Sequence, residues 1–221
     1  MTPPRFDWLA PHYAWVEAVS FGGLLQWCRT ALLGDLADAR RVLILGEGDG
    51  RFLAAFLAAN RAATVDVVDA SAGMIALARR RVADDGRVRW HVADGRSFEP
   101  PAAAFDLIVT NFWLDCFPAA TLARLIPRLA RGLEPGGRWL VGDFAVPSGG
   151  PVRRAAARAA LAGMYAAFCL TTRIPAGRLA DPAPALRAAG FEVVREERRL
   201  GGFLTATVWQ RDVGPVSNRP G

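Results

Sequence analysis

The sequence predicts a three-layer α/β fold, in which helices cover both faces of a mostly parallel sheet, and three features favour that class. A short uninterrupted aliphatic run from Val42 to Leu45 is typical of a strand buried on both faces. A glycine-rich turn and a helical segment follow this run directly, and further aliphatic strands then alternate with helical segments. The chain has 221 residues, which is enough for one domain with a sizeable core.

The glycine turn is the first candidate binding feature. Gly46, Gly48 and Gly50 stand at alternate positions after the first strand. Glycine allows a sharp turn of the backbone and lets a ligand approach the main chain without meeting a Cβ atom. The segment 51–57 predicts the start of a helix, whose unpaired N–H groups face the turn. The pattern indicates a nucleotide site, provided that suitable residues end the neighbouring strands.

Acidic residues follow the next two strand candidates. The second strand, 65–68, runs into Asp69, where a carboxylate can accept both hydroxyls of a ribose. The third strand, 88–92, precedes Asp94. His91 lies within that strand, and we expect it to be a core or edge residue whose ring has a hydrogen-bond partner.

Taken in this order, these residues resemble the class I methyltransferases that use S-adenosylmethionine (SAM). The resemblance extends over residues 40–147 in detail, including Ser71-Ala72-Gly73-Met74-Ile75 after Asp69 and the glycine turn at 133–137. It implies a Rossmann-like sheet of seven strands, mostly parallel with helices on both faces and the last strand antiparallel, plus an N-terminal helical cap.

The resemblance implies SAM as the cofactor and S-adenosyl-L-homocysteine as its product. The glycine turn would hold the amino-acid end of SAM, Asp69 the ribose, and Asp94 the adenine amino group, with Met74 as a wall of the adenine slot. Many members carry an acid where this chain has Ile44, and Glu47 is inferred to take over the contact with the methionine amine. The residues inferred to bind the cofactor are Gly46, Glu47, Gly48, Gly50, Asp69, Ala70, Met74, Asp94, Gly95 and Asn111.

A sheet that binds NAD is the main alternative interpretation of the same residues. The chain lacks the G-x-G-x-x-G spacing of such sites. The acid after the third strand also has no explanation in that interpretation. SAM binding is therefore favoured.

The loop after the fourth strand candidate, 105–110, is the second informative place. It reads Asn111-Phe112-Trp113-Leu114-Asp115-Cys116-Phe117 and follows the carboxyl end of a strand, where open α/β sheets bind ligands. In the family this loop borders the methyl group, and here it lacks the two prolines of members that methylate nucleobases. Two roles are predicted for Asp115. The favoured one is a cap of the helix that begins at about Pro118, and the other is a desolvated proton acceptor with a raised pKa.

The resemblance also implies an acceptor pocket with aromatic walls. Residues 1–35 would form the helical cap, 36–211 the SAM-binding domain with a substrate cover at 148–175, and 212–221 a flexible tail. The candidate catalytic residues are Tyr13, His12 and Asp115. The candidate acceptor contacts are Trp8, Phe112, Trp113, Phe144, Met164, Tyr165 and Phe168. Taken singly, each of these aromatic residues is explained at least as well by ordinary packing.

Composition limits the other functions. The formal charge is +6, but every basic residue is an arginine and these are scattered, which disfavours specific nucleic-acid binding. Three cysteines and two histidines form no zinc pattern, so no metal is expected. No segment resembles a signal peptide or a membrane span, which predicts a cytoplasmic protein with reduced thiols.

The sequence thus favours a SAM-dependent methyltransferase whose acceptor is a small apolar or aromatic molecule. A membrane-associated lipid or quinone acceptor stays open, because 151–170 predicts a basic helix able to lie on a membrane surface. Macromolecule methylation and SAM binding without methyl transfer also stay open. The oligomeric state is not predicted.

Overall fold

The computed structural model describes residues 23–147, 150, 154–155, 159 and 180–211. Within these residues the strands are β1 (Arg41–Leu45), β2 (Thr64–Asp69), β3 (Val88–Val92), β4 (Phe105–Asn111), β5 (Leu133–Phe144), β6 (Phe191–Arg199) and β7 (Leu204–Arg211). The α-helices are α1 (Leu24–Thr30), α2 (Arg51–Ala59), α3 (Ala72–Arg81), α4 (Ala119–Ala130) and α5 (Ala183–Ala188), and short 3₁₀ turns lie at Leu33–Leu36 and Leu114–Cys116. None of the helices in this part of the chain is long and apolar enough to cross a bilayer.

The strands form one sheet in the order β3-β2-β1-β4-β5-β7-β6. Strands β1 to β5 pair in parallel, and β7 runs antiparallel to both β5 and β6. This arrangement confirms the predicted seven-stranded, mostly parallel sheet with helices on both faces and an antiparallel last strand. The chain order reverses between β1 and β4, so the carboxyl ends of these two strands frame a crevice.

Each face of the sheet has its own buried apolar cluster. Helices α1 and α2 cover one face, where the stacked rings of Phe52 and Phe56 are almost fully buried. Helix α4 covers the other face with Leu122, Ile126 and Leu129, which share one stripe of the helix. Apolar layers on both faces explain why β1 is an uninterrupted aliphatic run.

One strand differs in its limits from the sequence prediction. After the glycine turn at 133–137 the sequence predicts a fifth strand from Trp139 to Val146. β5 instead begins at Leu133, because Leu133 already pairs with Phe105 before a shift in register. The strand ends at Phe144, two residues before the predicted limit. The segment 133–137 is thus the amino-terminal part of the strand.

Several predicted segments fall outside the described residues. The predicted N-terminal helix is described only from Gly23, where α1 follows. Most of 148–175 and all of 212–221 also lie outside. The predictions for those segments stay predictions.

Candidate cofactor and acceptor site

The glycine turn between β1 and α2 has the backbone that its residues predict. Gly46, Gly48 and Gly50 all have positive φ values, of 68°, 71° and 85°. A Cβ atom at Gly48 would meet nothing within 4 Å, whereas one at Gly50 would lie 2.7 Å from the Cα of Ala78 in α3. Gly50 therefore serves the packing of α3, and Gly48 leaves the main chain open to a ligand.

The carboxylate of Asp69, at the end of β2, is held against this turn. It accepts hydrogen bonds from the backbone N–H of Gly48, at 3.1 Å, and of Ser71, at 2.9 Å. A carboxylate has about four lone-pair positions, so these two bonds leave it able to accept ribose hydroxyls. The sequence predicts an acid at the end of this strand, and the structure brings its carboxylate into contact with the turn.

Glu47 lies inside the turn, and its side chain points back into the protein. Its Oε1 accepts a hydrogen bond from the backbone N–H of Leu53 at 2.9 Å, so it caps the first turn of α2. Burial is the largest effect on this group, and it raises the pKa of Glu47 to about 8 although Arg29 opposes the shift. The predicted contact of Glu47 with the methionine amine stays a prediction.

Asp94, after β3, is engaged by a neighbouring arginine. Arg96 donates to both carboxylate oxygens through its guanidinium and to Oδ1 through its backbone N–H. This pairing lowers the pKa of Asp94. An adenine amino group at this place would share the carboxylate with Arg96, and its contact with Asp94 stays a prediction.

The other predicted adenine contacts lie nearby. Met74 is in the first turn of α3 and is 3% exposed, and its N–H is capped by the hydroxyl of Ser71. Ala70 is exposed at the junction of β2 and α3. Their roles toward adenine stay predictions.

The aromatic residues after β4 divide between the two faces of the sheet. The ring of Phe112 packs against Phe144, with 5.0 Å between centroids, and belongs to the cluster under α1. The indole of Trp113 packs on the opposite cluster, where it lies against Gly46 and Gly95. The predicted acceptor contacts thus form two surfaces, one made of phenylalanines and one that borders the glycine turn.

The backbone at Phe112 is also unusual. It has φ of 53°, which is uncommon for a residue with a bulky side chain, and its N–H donates to the carbonyl of Gly142 at 2.7 Å. The guanidinium of Arg29 lies 5.3 Å from the centroid of the Phe112 ring. Strained backbone of this kind is concentrated at functional sites.

The preferred interpretation of Asp115 as a helix cap is wrong. Helix α4 begins after Pro118, which stands at its N-cap position without a side-chain hydrogen bond. Asp115 instead lies in the 3₁₀ turn, is 3% exposed, and approaches the carboxyl of Asp143 at the end of β5. Burial, followed by the charge of Asp115, raises the pKa of Asp143 well above its usual range.

Arg29 is a residue near the site that the sequence does not indicate, whereas Asp143, near the carboxyl end of the fifth strand, is expected from the sequence to point at the crevice. The available signal for Asp143 was an acid near the end of an otherwise buried strand. Arg29 is 7% exposed on α1 and acts electrostatically on both Glu47 and Cys28. A single arginine in an apolar helix gave no comparable signal.

Other predicted residues have simpler outcomes. His91 is satisfied as expected, because its Nε2 lies 2.8 Å from Oδ1 of Asp66. The candidates outside the described residues are Trp8, His12, Tyr13, Met164, Tyr165 and Phe168.

The glycine turn, Asp69 and the reversal of strand order lie next to one another. A glycine turn open at Gly48, an acid fixed at the end of the next strand, and a sheet whose order reverses beside them are the features expected of a nucleoside-binding site. These residues fit the adenosine and amino-acid parts of SAM.

Comparison with known proteins supplies the family. Residues 42–137 match the family model of the methyltransferase domain. The demethylmenaquinone methyltransferase of Clavibacter sepedonicus is 34% identical over 151 residues, which are 67% of this chain and 60% of that protein. The trans-aconitate 2-methyltransferase of Methylobacterium nodulans is 39% identical over 102 residues, which are 46% of this chain and 37% of that protein.

A solved structure agrees in fold over nearly the whole chain. The 1,6-didemethyltoxoflavin-N1-methyltransferase of Burkholderia thailandensis, with bound S-adenosylhomocysteine, superposes with a TM-score of 0.61 at 21% identity. The match covers 96% of this chain and 91% of that one. Residues 42–137 are thus a methyltransferase domain, and the chain has the fold of the class I SAM-dependent methyltransferases. It spans 60% of the length of the Clavibacter relative.

Proposed function

We propose that the protein transfers the methyl group of SAM to a small-molecule acceptor with an apolar or aromatic body. The observation that carries the proposal is the pairing of the open glycine turn with the oriented carboxylate of Asp69. When bound there, SAM supplies a methyl group on a positively charged sulfur, which becomes a neutral thioether when the methyl is transferred.

The residues of the chain bind and position the reactants. Gly46 to Gly50 receive the amino-acid end of SAM, Asp69 the ribose, and the segment at Asp94 the adenine. Correct alignment of two reactants can lower a barrier by about 7–11 kcal/mol. Little further chemistry is required of the protein.

The phenylalanine surface under α1 supports an acceptor that is apolar in part. Phe112 and Phe144 are in contact, and Phe203 packs on Phe144 with 5.7 Å between centroids. Ring faces of this kind also attract a sulfonium group. Such a surface excludes water from the methyl group and favours an aromatic or aliphatic acceptor body.

Calorimetric titration with SAM and with S-adenosylhomocysteine tests cofactor binding. Asp69→Ala should weaken both affinities about 10- to 100-fold, since hydrogen bonds to a charged group are worth about 1.5–3 kcal/mol. Asp84→Ala is the matched control, because it removes a surface carboxylate, 61% exposed, that pairs with Arg79. Equal affinities in Asp69→Ala and the wild type would exclude Asp69 from the site.

Transfer itself is tested by incubating the protein with SAM labelled in the methyl group and with metabolite extracts. Incorporation of label that is absent from Asp69→Ala supports the methyltransferase. Tight SAM binding without transfer to any extract would instead support a SAM-binding protein.

A membrane-associated quinone is the second candidate acceptor. The observation that favours it is the similarity to a relative named as a demethylmenaquinone methyltransferase. Sedimentation of the protein with anionic liposomes that contain a demethylated naphthoquinone, followed by the labelled-methyl assay, distinguishes this candidate. Transfer to the liposomal quinone favours it, and transfer confined to soluble extracts excludes it.

A further inference from the structure

A polar cluster at the carboxyl ends of β4 and β5 contains one predicted cofactor contact, Asn111, and two acids to which no cofactor contact is assigned. It consists of Asn111, Asp115 and Asp143, and is called the β4–β5 polar cluster below. Asp115 and Asp143 are 3% and 4% exposed, and they come from adjacent elements that bring their carboxyls together. The site where they meet borders the loop that begins at Phe112.

Two members of this cluster have polar atoms without a conventional donor or acceptor. Within the described residues, both carboxyl oxygens of Asp143 and both amide atoms of Asn111 are buried and make no hydrogen bond of ordinary geometry. The groups near enough to act on Asp143 are the carboxyl of Asp115 and the backbone N–H groups of Asp115 and Phe144. Asn111 pairs in register with Gly142, and its Oδ1 packs directly over the Cα of that residue. Such burial costs free energy unless a ligand supplies the partners.

The charge of the cluster points to the kind of ligand. No ion pair in the described part of the chain involves Asp143, and the thiol of Cys28 beside it has a pKa raised to about 12, mainly by burial. Two buried carboxyls in contact do not both ionise readily, and a neighbouring positive charge favours their ionisation. A cationic group that donates hydrogen bonds complements this arrangement.

We propose that the β4–β5 polar cluster binds the basic nitrogen of an amine acceptor and takes its proton. The proposal rests on the proposed methyl transfer and names the substrate class of that site. A protonated amine has no lone pair available for attack. Loss of its proton to the carboxyl pair breaks one N–H bond, leaves the electron pair on nitrogen and forms an O–H bond on the carboxylate.

The remaining contacts of the acceptor follow from the same place. Asn111 offers an amide oxygen to a second N–H of the nitrogen. Phe112 and Phe144 cover its apolar part. The predicted acceptor is therefore an aryl- or alkylamine rather than a phenol or a carboxylic acid.

Binding measurements on the complex with S-adenosylhomocysteine test this assignment without methyl transfer. The probes are 2-phenylethylamine and 2-phenylethanol, which have the same carbon skeleton and differ in the charged nitrogen. The amine should bind the wild type about tenfold or more tightly than the alcohol, as expected of a desolvated charge pair. Asp143→Asn and Asp115→Asn should each abolish that preference, and Asp84→Asn, on the distant surface, should keep it.

The outcomes separate this inference from the proposed function. Equal affinity of the two probes for the wild type, including no detectable binding of either, overturns the amine assignment while binding of S-adenosylhomocysteine preserves the methyltransferase. A preference retained in both variants also overturns it. Absence of S-adenosylhomocysteine binding by the wild type would remove both proposals. The two variants are isosteric, and thermal melting of each confirms that it folds.

Discussion

Asp69 is oriented before any ligand binds, because two backbone N–H groups already donate to its carboxylate. One of them belongs to Gly48, the open residue of the glycine turn. The turn and the acid therefore form one rigid unit. Preorganisation of this kind lowers the entropy lost when a nucleoside binds.

The raised pKa of Glu47 makes the free energy of unfolding depend on pH. Its pKa is raised from 4.5 to about 8, so between these values the folded protein holds a proton that the unfolded chain has released. The free energy of unfolding must then fall as pH rises through this window. Glu47→Gln removes the titration, keeps an oxygen that can accept from the N–H of Leu53, and should give a shallower fall.

Urea denaturation at about pH 5, 7 and 9 measures this difference. Asp143 also has a raised pKa and contributes a slope of the same sign, so Asp143→Asn is the companion variant. Parallel stability curves for Glu47→Gln and the wild type would show that Glu47 is ionised throughout, against the account given above.

At the scale of elements, the junction of β1 with α2 depends on two glycines for different reasons. Gly50→Ala would place a Cβ 2.7 Å from the backbone of Ala78 at a positive φ. The expected loss of unfolding free energy is about 2–5 kcal/mol, since left-handed backbone costs about 1–2 kcal/mol and overpacking about 1–3. Chemical denaturation measures it.

Gly48→Ala is the matched control for that substitution. Its φ is also positive, but a Cβ would meet open space. Gly48→Ala should lower the free energy of unfolding only by the cost of the left-handed backbone, about 1–2 kcal/mol. The affinity of this variant for SAM should fall, because the Cβ covers the main chain. Equal destabilisation by both substitutions would contradict the packing of α3 against Gly50.

Most elements of the parallel half of the sheet could be predicted from the sequence. β1, β2 and β4 are short, mainly aliphatic runs that end beside a glycine, at an acid and at an asparagine, so the local pattern predicts their type and their carboxyl ends. Asp69 lies at the carboxyl end of β2, as the same pattern predicts, and its contact with the ribose stays a prediction. The start of β5 was missed, because its pairing with β4 runs through glycines and a proline that locally indicate a turn.

The polar cluster could not be predicted in this way. Asp115 is a plausible cap by spacing, and only the packing of its 3₁₀ turn against β5 turns it inward to meet Asp143. The division of Phe112 and Trp113 between the two faces likewise follows from the positive φ of Phe112. Contacts between elements distant in sequence decide both features.

At the scale of the whole molecule, the site exists because the strand order reverses between β1 and β4. The reversal brings the glycine turn beside the loop that follows β4. The predicted cofactor residues therefore come mainly from the ends of β1 to β3, and the proposed acceptor residues come from β4, β5 and the 3₁₀ turn that follows β4. Nucleoside and acceptor meet over the crevice.

A crystal structure of the protein grown with S-adenosylhomocysteine tests whether the glycine turn and Asp69 hold the nucleoside. We expect the nucleoside to lie across Gly46 to Gly50, with both ribose hydroxyls on the carboxylate of Asp69 and the sulfur facing the loop after β4. A ligand bound elsewhere, or a ribose that does not contact Asp69, would contradict it.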